Sequence, residues 1–215
     1  MARRPALAVA TGLALLLVLW GLVGAGALRG LDGPVHAWTL RHRPPGSGTL
    51  IKWLLAGEML VLAGVLAWLL RGHLGLLARL GALVIGAEGV VWALKHAGRG
   101  WDVPWYANNF PSGHTTVGAL LCLLLARVLA ALPGPDAGLV GMLRGVCFAL
   151  AGLFGALAVF PMGHVPSEMV GGFVLAGTAA QIGGGWIAAA LPPRALVPVD
   201  SAGRLLHTGE GRRRV

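Results

Sequence analysis

Charged residues are scarce in this sequence, and their scarcity excludes an ordinary water-soluble domain. They make up 12% of the 215 residues, while hydrophobic residues make up 56%. Soluble globular domains carry roughly 25% charged residues. The sequence also lacks any internal repeat with a period of about 20 to 50 residues, so a solenoid or a propeller is excluded as well.

Cysteine and acidic residues are also few. The two cysteines, Cys122 and Cys147, lie inside apolar runs. Cysteine behaves there as a small hydrophobe, so we expect neither a disulfide nor a metal site. Eight acidic residues stand against 17 lysines and arginines, for a net charge of +9. These cations lie between and beyond the apolar runs, without a basic face interleaved with aromatic residues. We therefore expect contact with anionic lipid headgroups and no binding of nucleic acid.

Long apolar runs are what the sequence has in abundance. A helix needs about 20 apolar residues to cross the hydrocarbon core of a bilayer, and six stretches qualify. They lie at residues 6–28, 50–70, 74–94, 115–132, 139–160 and 169–191. We predict an all-α fold, an integral membrane bundle of six transmembrane helices over residues 1–192. Residues 193–215 are basic, have no apolar period and are expected to form a disordered cytoplasmic tail.

The first apolar run has an alternative interpretation as a secretory signal peptide. Arg3 and Arg4 give it a basic start, and Ala25-Gly26-Ala27 resembles a cleavage site. Its length of about 23 residues exceeds the roughly 7–15 residues of a signal-peptide core. We favour a retained transmembrane helix and leave cleavage open.

The distribution of basic residues indicates the orientation in the membrane, because cytoplasmic loops carry an excess of Lys and Arg. With six spans, both termini share one side. That side collects ten arginines, whereas the other collects six basic residues. We predict that both termini are cytoplasmic and that the protein lies in the cell (inner or plasma) membrane. The sequence has no feature that specifies an oligomeric state.

Two loops on the predicted extracytoplasmic side are long enough to contribute to a site. Residues 29–48 combine Trp38 and Leu40 with basic residues, which is typical of an amphipathic segment at the membrane interface. We expect His36, in this loop, to be solvated. The second loop, residues 95–114, contains aromatic residues suited to the headgroup region, namely Trp101, Trp105 and Tyr106.

Three helix ends on this side carry polar residues that can act together. Lys95 and Arg99 follow the third span. Pro111-Ser112-Gly113-His114 opens the fourth span, and His164 with Glu168 opens the sixth. Because successive spans run in opposite directions, the topology alone brings these three helix ends to one face of the membrane.

These residue types suit the transfer of a phosphoryl group. The free N–H groups of a helix start at Ser112 and Gly113 attract an anion, and Lys95 and Arg99 add positive charge. One histidine can act as a nucleophile and the other as a general acid. Glu168 can hold an imidazole in one tautomer and stabilise its cationic form, as the carboxylate does in a catalytic triad.

The order and spacing of these residues resemble the type-2 phosphatidic-acid phosphatase family, which also includes the vanadium haloperoxidases. That family carries the motifs Lys-x6-Arg-Pro, Pro-Ser-Gly-His and Ser-Arg-x5-His-x3-Asp. The second motif is intact at residues 111–114, and the third is recognisable at residues 163–168. Residues 31–44 also look like the family's usual first segment. The resemblance covers most of the chain.

The resemblance implies a membrane lipid phosphatase that works through a phosphohistidine and requires no metal or cofactor. His164 would be the nucleophile, His114 would protonate the leaving group, and Glu168 would orient His164. Relatives suggest polyprenyl diphosphate, phosphatidylglycerol phosphate or phosphatidic acid as the membrane lipid substrate. The phosphate would be bound by Lys95, Ser112 and Gly113.

This sequence departs from the family's motifs at four positions. Leu157 and Ala158 stand where the third motif has Ser-Arg, Asp102 stands where the first has arginine, and Glu168 replaces an aspartate. The lost third-motif arginine would remove a cation that binds phosphate. The alternative function is a non-catalytic relative that binds a phospholipid or a polyprenyl phosphate for a partner enzyme. Otherwise the role of the lost arginine would fall to one of Arg99, Arg41, Arg43 and His96.

Two carboxylates lie inside predicted spans and are secondary site candidates. Glu88 precedes Lys95 by seven residues, about two helical turns, so the two side chains point the same way. Both Glu58 and Glu88 could instead be neutral carboxyls that hydrogen-bond neighbouring helices. A third reading makes them the coupling carboxylates of a small transporter, but we find neither inverted repeats nor broken helices in the sequence.

Two further features of the spans are assigned to packing and to the membrane surface. The run Gly183-Gly184-Gly185 predicts close helix packing. Arg144, inside the fifth span, is expected to extend its charged end to the cytoplasmic interface.

Overall fold

The computed structural model describes residues 3–98, 109–132, 137–160 and 162–191. Arg99, the aromatic residues predicted for the headgroup region and the predicted tail lie outside the described residues. Within the described ranges the chain is helical and forms no strand. The helices are α1 (Arg3–Gly24), α2 (Arg29–His42), α3 (Ser47–Leu69), α4 (Leu74–Ala97), α5 (Gly113–Ala131), α6 (Ala137–Val159) and α7 (Pro166–Ala190).

Six of these helices, all but α2, are long and apolar enough to cross a membrane. This confirms the predicted all-α membrane bundle and makes the chain a multi-pass membrane protein. Most predicted boundaries hold to within a few residues, but the first helix ends at Gly24 and not near residue 28. The chain turns there because Gly26 adopts a positive φ of 69°, a conformation that glycine reaches without steric cost.

Helix α1 is packed into the bundle along α7. Gly12 lies directly against the side chain of Thr178, so the absence of a side chain at Gly12 lets the two helices approach closely.

Helix α2 has 14 residues, too few to cross the bilayer, and it occupies the predicted amphipathic loop. On this helix polar side chains face the protein and apolar ones face outward, the reverse of a surface helix on a soluble protein. Asp32, His36 and Thr39 are buried against the bundle, while Leu31, Trp38 and Leu40 are exposed. The prediction that His36 is solvated was wrong, because its ring lies on the face of α2 that packs on the protein.

Helix α5 lies at the centre of the bundle. Its span is 61% buried, against 11–39% for the other five, and it packs most extensively against α6 and α7. Glycines allow these contacts. Gly118 lies against the ring of Phe154, and a Cβ on Gly183 would lie 2.6 Å from Leu124. The predicted packing role of Gly183 is therefore confirmed.

The outer helices present large apolar side chains outward. Trp53, Leu60 and Ile85 are each about three-quarters exposed, which would be costly in water and is ordinary for a surface that faces lipid tails. The bundle thus places its polar residues at the helix ends and at a few interior positions.

Candidate active site

The start of α5 is organised by Ser112. As the N-cap residue, its hydroxyl oxygen accepts a hydrogen bond from the N–H of Thr115 at 3.4 Å and from the Thr115 hydroxyl at 3.2 Å. The Ser112 carbonyl accepts a hydrogen bond from the Thr116 hydroxyl at 2.8 Å. Since the first N–H groups of a helix have no partner within it, Gly113 and His114 present theirs at this end.

The starts of α5 and α7 are joined directly. The N–H of Ser112 donates to the carbonyl of Glu168 at 3.0 Å. Gly172, one turn further along α7, makes room for this contact, because a Cβ there would lie 2.9 Å from the Thr115 side chain and 3.0 Å from the Ser112 carbonyl oxygen. Two segments more than 50 residues apart in the chain therefore form one polar platform.

The start of α7 holds His164 and Glu168 together. Nδ1 of His164 hydrogen-bonds the Oε2 atom of Glu168, an oxygen that also lies 3.4 Å from the N–H of Val165. Glu168 is fully buried. A carboxylate can only accept, so Nδ1 is the donor, and in the neutral ring Nε2, on the other side, has a free lone pair.

His114 and His164 face one another across the site. Their ring centroids are 6.3 Å apart, with the planes inclined by 56°. Both rings are half-buried. The topology prediction that placed both histidines at one end of the bundle therefore holds.

Helix α2 hydrogen-bonds the segment that carries His164. The carboxylate of Asp32 accepts the Ser167 N–H at 3.1 Å and the Ser167 hydroxyl at 2.6 Å. Nδ1 of His36 lies 3.2 Å from the Gly163 carbonyl, which can only accept, so His36 is the donor. Sequence reasoning missed both residues. Their spacing of four residues places them on one face of a helix, and this is the signal that could have indicated a shared polar face.

Several cations surround the two histidines. The charges of Lys52 and Lys95 both act on His114. Nη1 of Arg43 lies 3.3 Å from the position that a Cβ on Gly163 would occupy, which places its guanidinium beside the residue that precedes His164. Gly163 itself has a positive φ of 85°.

The other candidates for the lost arginine are placed differently. Arg41 is exposed and donates to the carbonyl of Ala37 within α2. His96 hydrogen-bonds the Trp92 carbonyl at 2.8 Å, and its ring lies 3.8 Å from that of Trp92. Of the candidate cations that the structure describes, Arg43 is the one shown to contact the His164 segment.

The end of α6 supplies no charge to the site. Ala158 is fully buried, and its carbonyl accepts the N–H of His164 at 3.1 Å. Leu157 packs against the apolar core. Apolar side chains therefore stand at the two positions where the motif that the sequence resembles has Ser-Arg.

The two intramembrane carboxylates have separate positions. Both carboxylate oxygens of Glu88 lie 3.1 Å from the point where a Cβ on Gly113 would be, and its charge interacts with that of Lys95. Glu88 therefore lies at the edge of the site. The charge of Glu58 interacts with Cys122 instead. Cys122 lies about 12 Å along α5 from His114, at 1.5 Å per residue. Within the described ranges no cluster of three His, Cys, Asp or Glu side chains could hold a metal ion.

Comparison with known proteins gives one informative structural likeness. No family model matches the chain, and no curated protein matches it. A solved structure does match, that of the first transmembrane PAP2 type phosphatidylglycerolphosphate phosphatase from Bacillus subtilis, with a TM-score of 0.67 and 16% identity over 86% of this chain and 98% of that one. At this identity the likeness shows that the chain shares the fold of that transmembrane PAP2-type phosphatase.

Proposed function

We propose that this chain is a membrane lipid phosphatase that hydrolyses a lipid phosphate or diphosphate through a phosphohistidine. The observation that carries the proposal is the hydrogen bond from Nδ1 of His164 to Glu168, which leaves Nε2 free on a ring that faces His114. The shared fold with a membrane phosphatase supports it.

In the first step, Nε2 of His164 attacks the phosphorus atom. An N–P bond forms as the P–O bond to the lipid breaks, and His114 transfers a proton to the departing oxygen. Glu168 stabilises the positive charge that develops on the His164 ring. In the second step, His114, now neutral, accepts a proton from water as the water oxygen attacks the phosphorus. The N–P bond breaks and inorganic phosphate leaves.

The phosphoryl oxygens need donors that are in place before the reaction. The N–H groups of Gly113 and His114 at the start of α5, the Lys95 ammonium group and the Arg43 guanidinium supply them in this mechanism. Arg43 thereby takes the role of the third-motif arginine, which Ala158 cannot fill. Its planar fork can bind two phosphate oxygens at once. Arg99 remains a sequence-based candidate for the same role.

Asp32 and His36 act as positioning residues in this mechanism. They hold the backbone of the His164 segment at Ser167 and Gly163, on either side of the nucleophile. A displacement of about 1 Å at a reacting group can cost on the order of 100-fold in rate. The buried polar face of α2 therefore serves the orientation of His164.

A lipid is the substrate class favoured by the location of the site. The histidines lie at the ends of membrane-spanning helices, and α2 presents Leu31, Trp38 and Leu40 outward beside them. The protein of the matching solved structure is a phosphatidylglycerolphosphate phosphatase. We propose the same substrate class here, with polyprenyl diphosphate and phosphatidic acid as the other substrates to be compared.

The orientation we propose places the site outside the cytoplasm, with both termini inside. Cys122 and Cys147 are buried, so a new surface cysteine can be labelled selectively. A membrane-impermeant maleimide applied to intact cells should label Thr49→Cys, on the side of the site, and leave Gly72→Cys unlabelled. The reverse pattern would contradict the orientation.

A second candidate function is a non-catalytic relative that binds a phospholipid or a polyprenyl phosphate. The burial of Leu157 and Ala158 at the positions of the Ser-Arg pair favours it. The intact pairing of His164 with Glu168 favours catalysis, because a site that only binds phosphate does not require an oriented nucleophile.

The deciding experiment is phosphate release by the purified protein in detergent. Phosphatidylglycerol phosphate, polyprenyl diphosphate and phosphatidic acid are supplied separately, each beside a His164→Ala control. Release that disappears in the control would support the phosphatase and identify its substrate. Release no greater than the control, with lipid binding intact, would favour the non-catalytic relative.

A further inference from the structure

The end of the bundle opposite the candidate active site contains a cavity with polar and apolar side chains in its wall. It has a volume of about 610 Å³ and lies between the last turns of α5, the first turns of α6 and the last turns of α7. Arg127, Arg144 and Gln181 contribute its polar groups, and no acidic residue is among the described residues that line it. Leu123, Phe148 and Ile187 form part of its apolar wall.

Arg127 is held inside the bundle and does not simply extend to the membrane surface. Its Nη2 atom donates to the side-chain oxygen of Gln181 at 3.0 Å. The guanidinium lies across Gly184, where a Cβ would come within 2.5 Å of Nη1. Side chains on a helix lean toward its N-terminus, and α5 begins at the opposite membrane face. Arg127 therefore leans toward the bilayer centre, about 6 Å inside the last residue of its helix.

Arg144 approaches the same cavity from the other direction. It lies seven residues after the start of α6, about 10 Å along the axis, and Phe148 lies one turn further on the same face. The sequence-based expectation that Arg144 extends to the interface named no partner for its charge. Arg144 and Arg127 line the same cavity, so one anionic group in that cavity could pair with both.

Two arginines at membrane depth require a counter-charge. Neither has an ion pair with a described carboxylate, and an uncompensated arginine inside a membrane is expensive. The cavity volume is in the range of small-molecule sites. Charge complementarity and the apolar wall together specify a ligand with an anionic head and an apolar body.

The geometry points to a binding site for one anionic phospholipid of the leaflet opposite the active site. The phosphate of the headgroup pairs with Arg127 and Arg144, and Gln181 keeps the Arg127 guanidinium oriented toward it. The acyl chains run over Phe148, one turn beyond Arg144 on the same face of α6, and over Leu123 of α5 in the apolar wall of the cavity. The bound lipid thus fills the groove between α6 and α7. This site does not depend on phosphatase activity.

The test measures lipid binding directly. The purified, delipidated protein is titrated with dioleoyl phosphatidylglycerol or dioleoyl phosphatidylcholine, and retained lipid is counted by native mass spectrometry. Hydrogen exchange of the peptides that cover residues 123–131 and 177–191 locates the bound lipid. We expect phosphatidylglycerol to bind and to slow exchange in both peptides, with phosphatidylcholine having little effect.

Charge variants make the test specific. Arg127→Gln with Arg144→Gln should weaken phosphatidylglycerol binding at this site about 30-fold, since each cation near an anionic lipid contributes about fivefold. Arg127→Lys with Arg144→Lys should keep most of the binding, which separates loss of charge from misfolding. Arg79→Gln, an exposed arginine near the same end on α4, is the matched control. Unchanged binding in the double Gln variant, or equal protection by phosphatidylcholine, would overturn the inference.

Discussion

Nδ1 of His164 donates a hydrogen bond to the buried carboxylate of Glu168, four residues later in the chain. The pairing fixes the tautomer of the ring, because a carboxylate accepts and does not donate. It also places a negative charge where the imidazole would become positive during attack on phosphorus. The longer glutamate side chain in place of the family's aspartate still reaches the ring.

The Glu168→Gln substitution should lower kcat by about 10²–10⁴-fold while leaving KM nearly unchanged. Glutamine can still accept from Nδ1, but it lacks the charge that stabilises the imidazolium. Steady-state phosphate release from the preferred lipid measures the effect. The matched control is Glu58→Gln, another carboxylate within the bundle that is remote from the histidines. Equal losses in the two variants would mean that Glu168 acts on folding and not on His164.

The His114→Ala substitution should reduce hydrolysis of an alkyl phosphate lipid by about 10²–10⁴-fold, the usual contribution of a general acid. Hydrolysis of an aryl phosphate such as p-nitrophenyl phosphate should slow much less, because its leaving oxygen departs without protonation. His164→Ala should abolish both reactions. A similar loss for the two leaving groups in His114→Ala would contradict the role of proton donor.

The Arg43→Gln substitution should lower kcat/KM about tenfold or more, because it removes a guanidinium that lies beside Gly163, the residue before His164. A single preorganised donor at a reacting oxygen can contribute more than this, but Arg43 is exposed to solvent. The kcat/KM of Arg43→Lys should fall between those of the unmodified protein and Arg43→Gln, since lysine keeps the charge but lacks the planar guanidinium.

Arg41→Gln provides the control for Arg43. Arg41 is also an exposed arginine near the end of α2, and its guanidinium donates to the Ala37 carbonyl. Its replacement should change kcat/KM by no more than about twofold, because an exposed charge that bonds only its own helix contributes little. Comparable losses at positions 41 and 43 would indicate a general effect of loop charge and not a specific phosphate contact.

The Asp32→Ala substitution should lower kcat about 10–100-fold with little change in KM, because the His164 segment loses its anchor at Ser167. Leaving the buried Ser167 N–H without a partner should also cost about 1–3 kcal/mol of stability, which thermal unfolding would show. His36→Asn should retain more activity than His36→Ala, since the asparagine amide can still donate to the Gly163 carbonyl. An unchanged kcat in Asp32→Ala would exclude positioning by α2.

The Gly172→Ala substitution should destabilise the bundle by about 1–3 kcal/mol, the usual cost of overpacking, and should impair activity. Its new Cβ would lie 2.9 Å from the Thr115 side chain and 3.0 Å from the Ser112 carbonyl oxygen, so it would push the starts of α5 and α7 apart. Gly177→Ala, on the same helix with nothing within 4 Å of its Cβ position, should be neutral or stabilising by up to about 1 kcal/mol. Thermal unfolding in detergent compares the two.

The sequence alone was sufficient for the spans and for the helix ends that meet at the site. Apolar runs of bilayer length determine where helices cross, because unpaired backbone groups are too costly in lipid. Alternation of direction then brings residues 111–114 and 163–168 to one face. The pairing of His164 with Glu168 was also foreseen, because the motif that the sequence resembles places an orienting carboxylate four residues after the histidine.

Only the tertiary structure decided which remote residues complete that face. Asp32 lies 135 residues from Ser167 in the chain, and α2 looks from its sequence like an interfacial segment whose polar side should face water. Its polar side faces the protein because the apolar side can be left to lipid, an option that an amphipathic pattern does not reveal. In the same way, the sequence could not rank Arg41, Arg43 and His96. The structure places the Arg43 guanidinium beside Gly163, whereas Arg41 and His96 bond carbonyls of their own helices. Chain direction and hydrophobicity are local properties of the sequence, whereas the partners of a buried polar group depend on how distant helices pack.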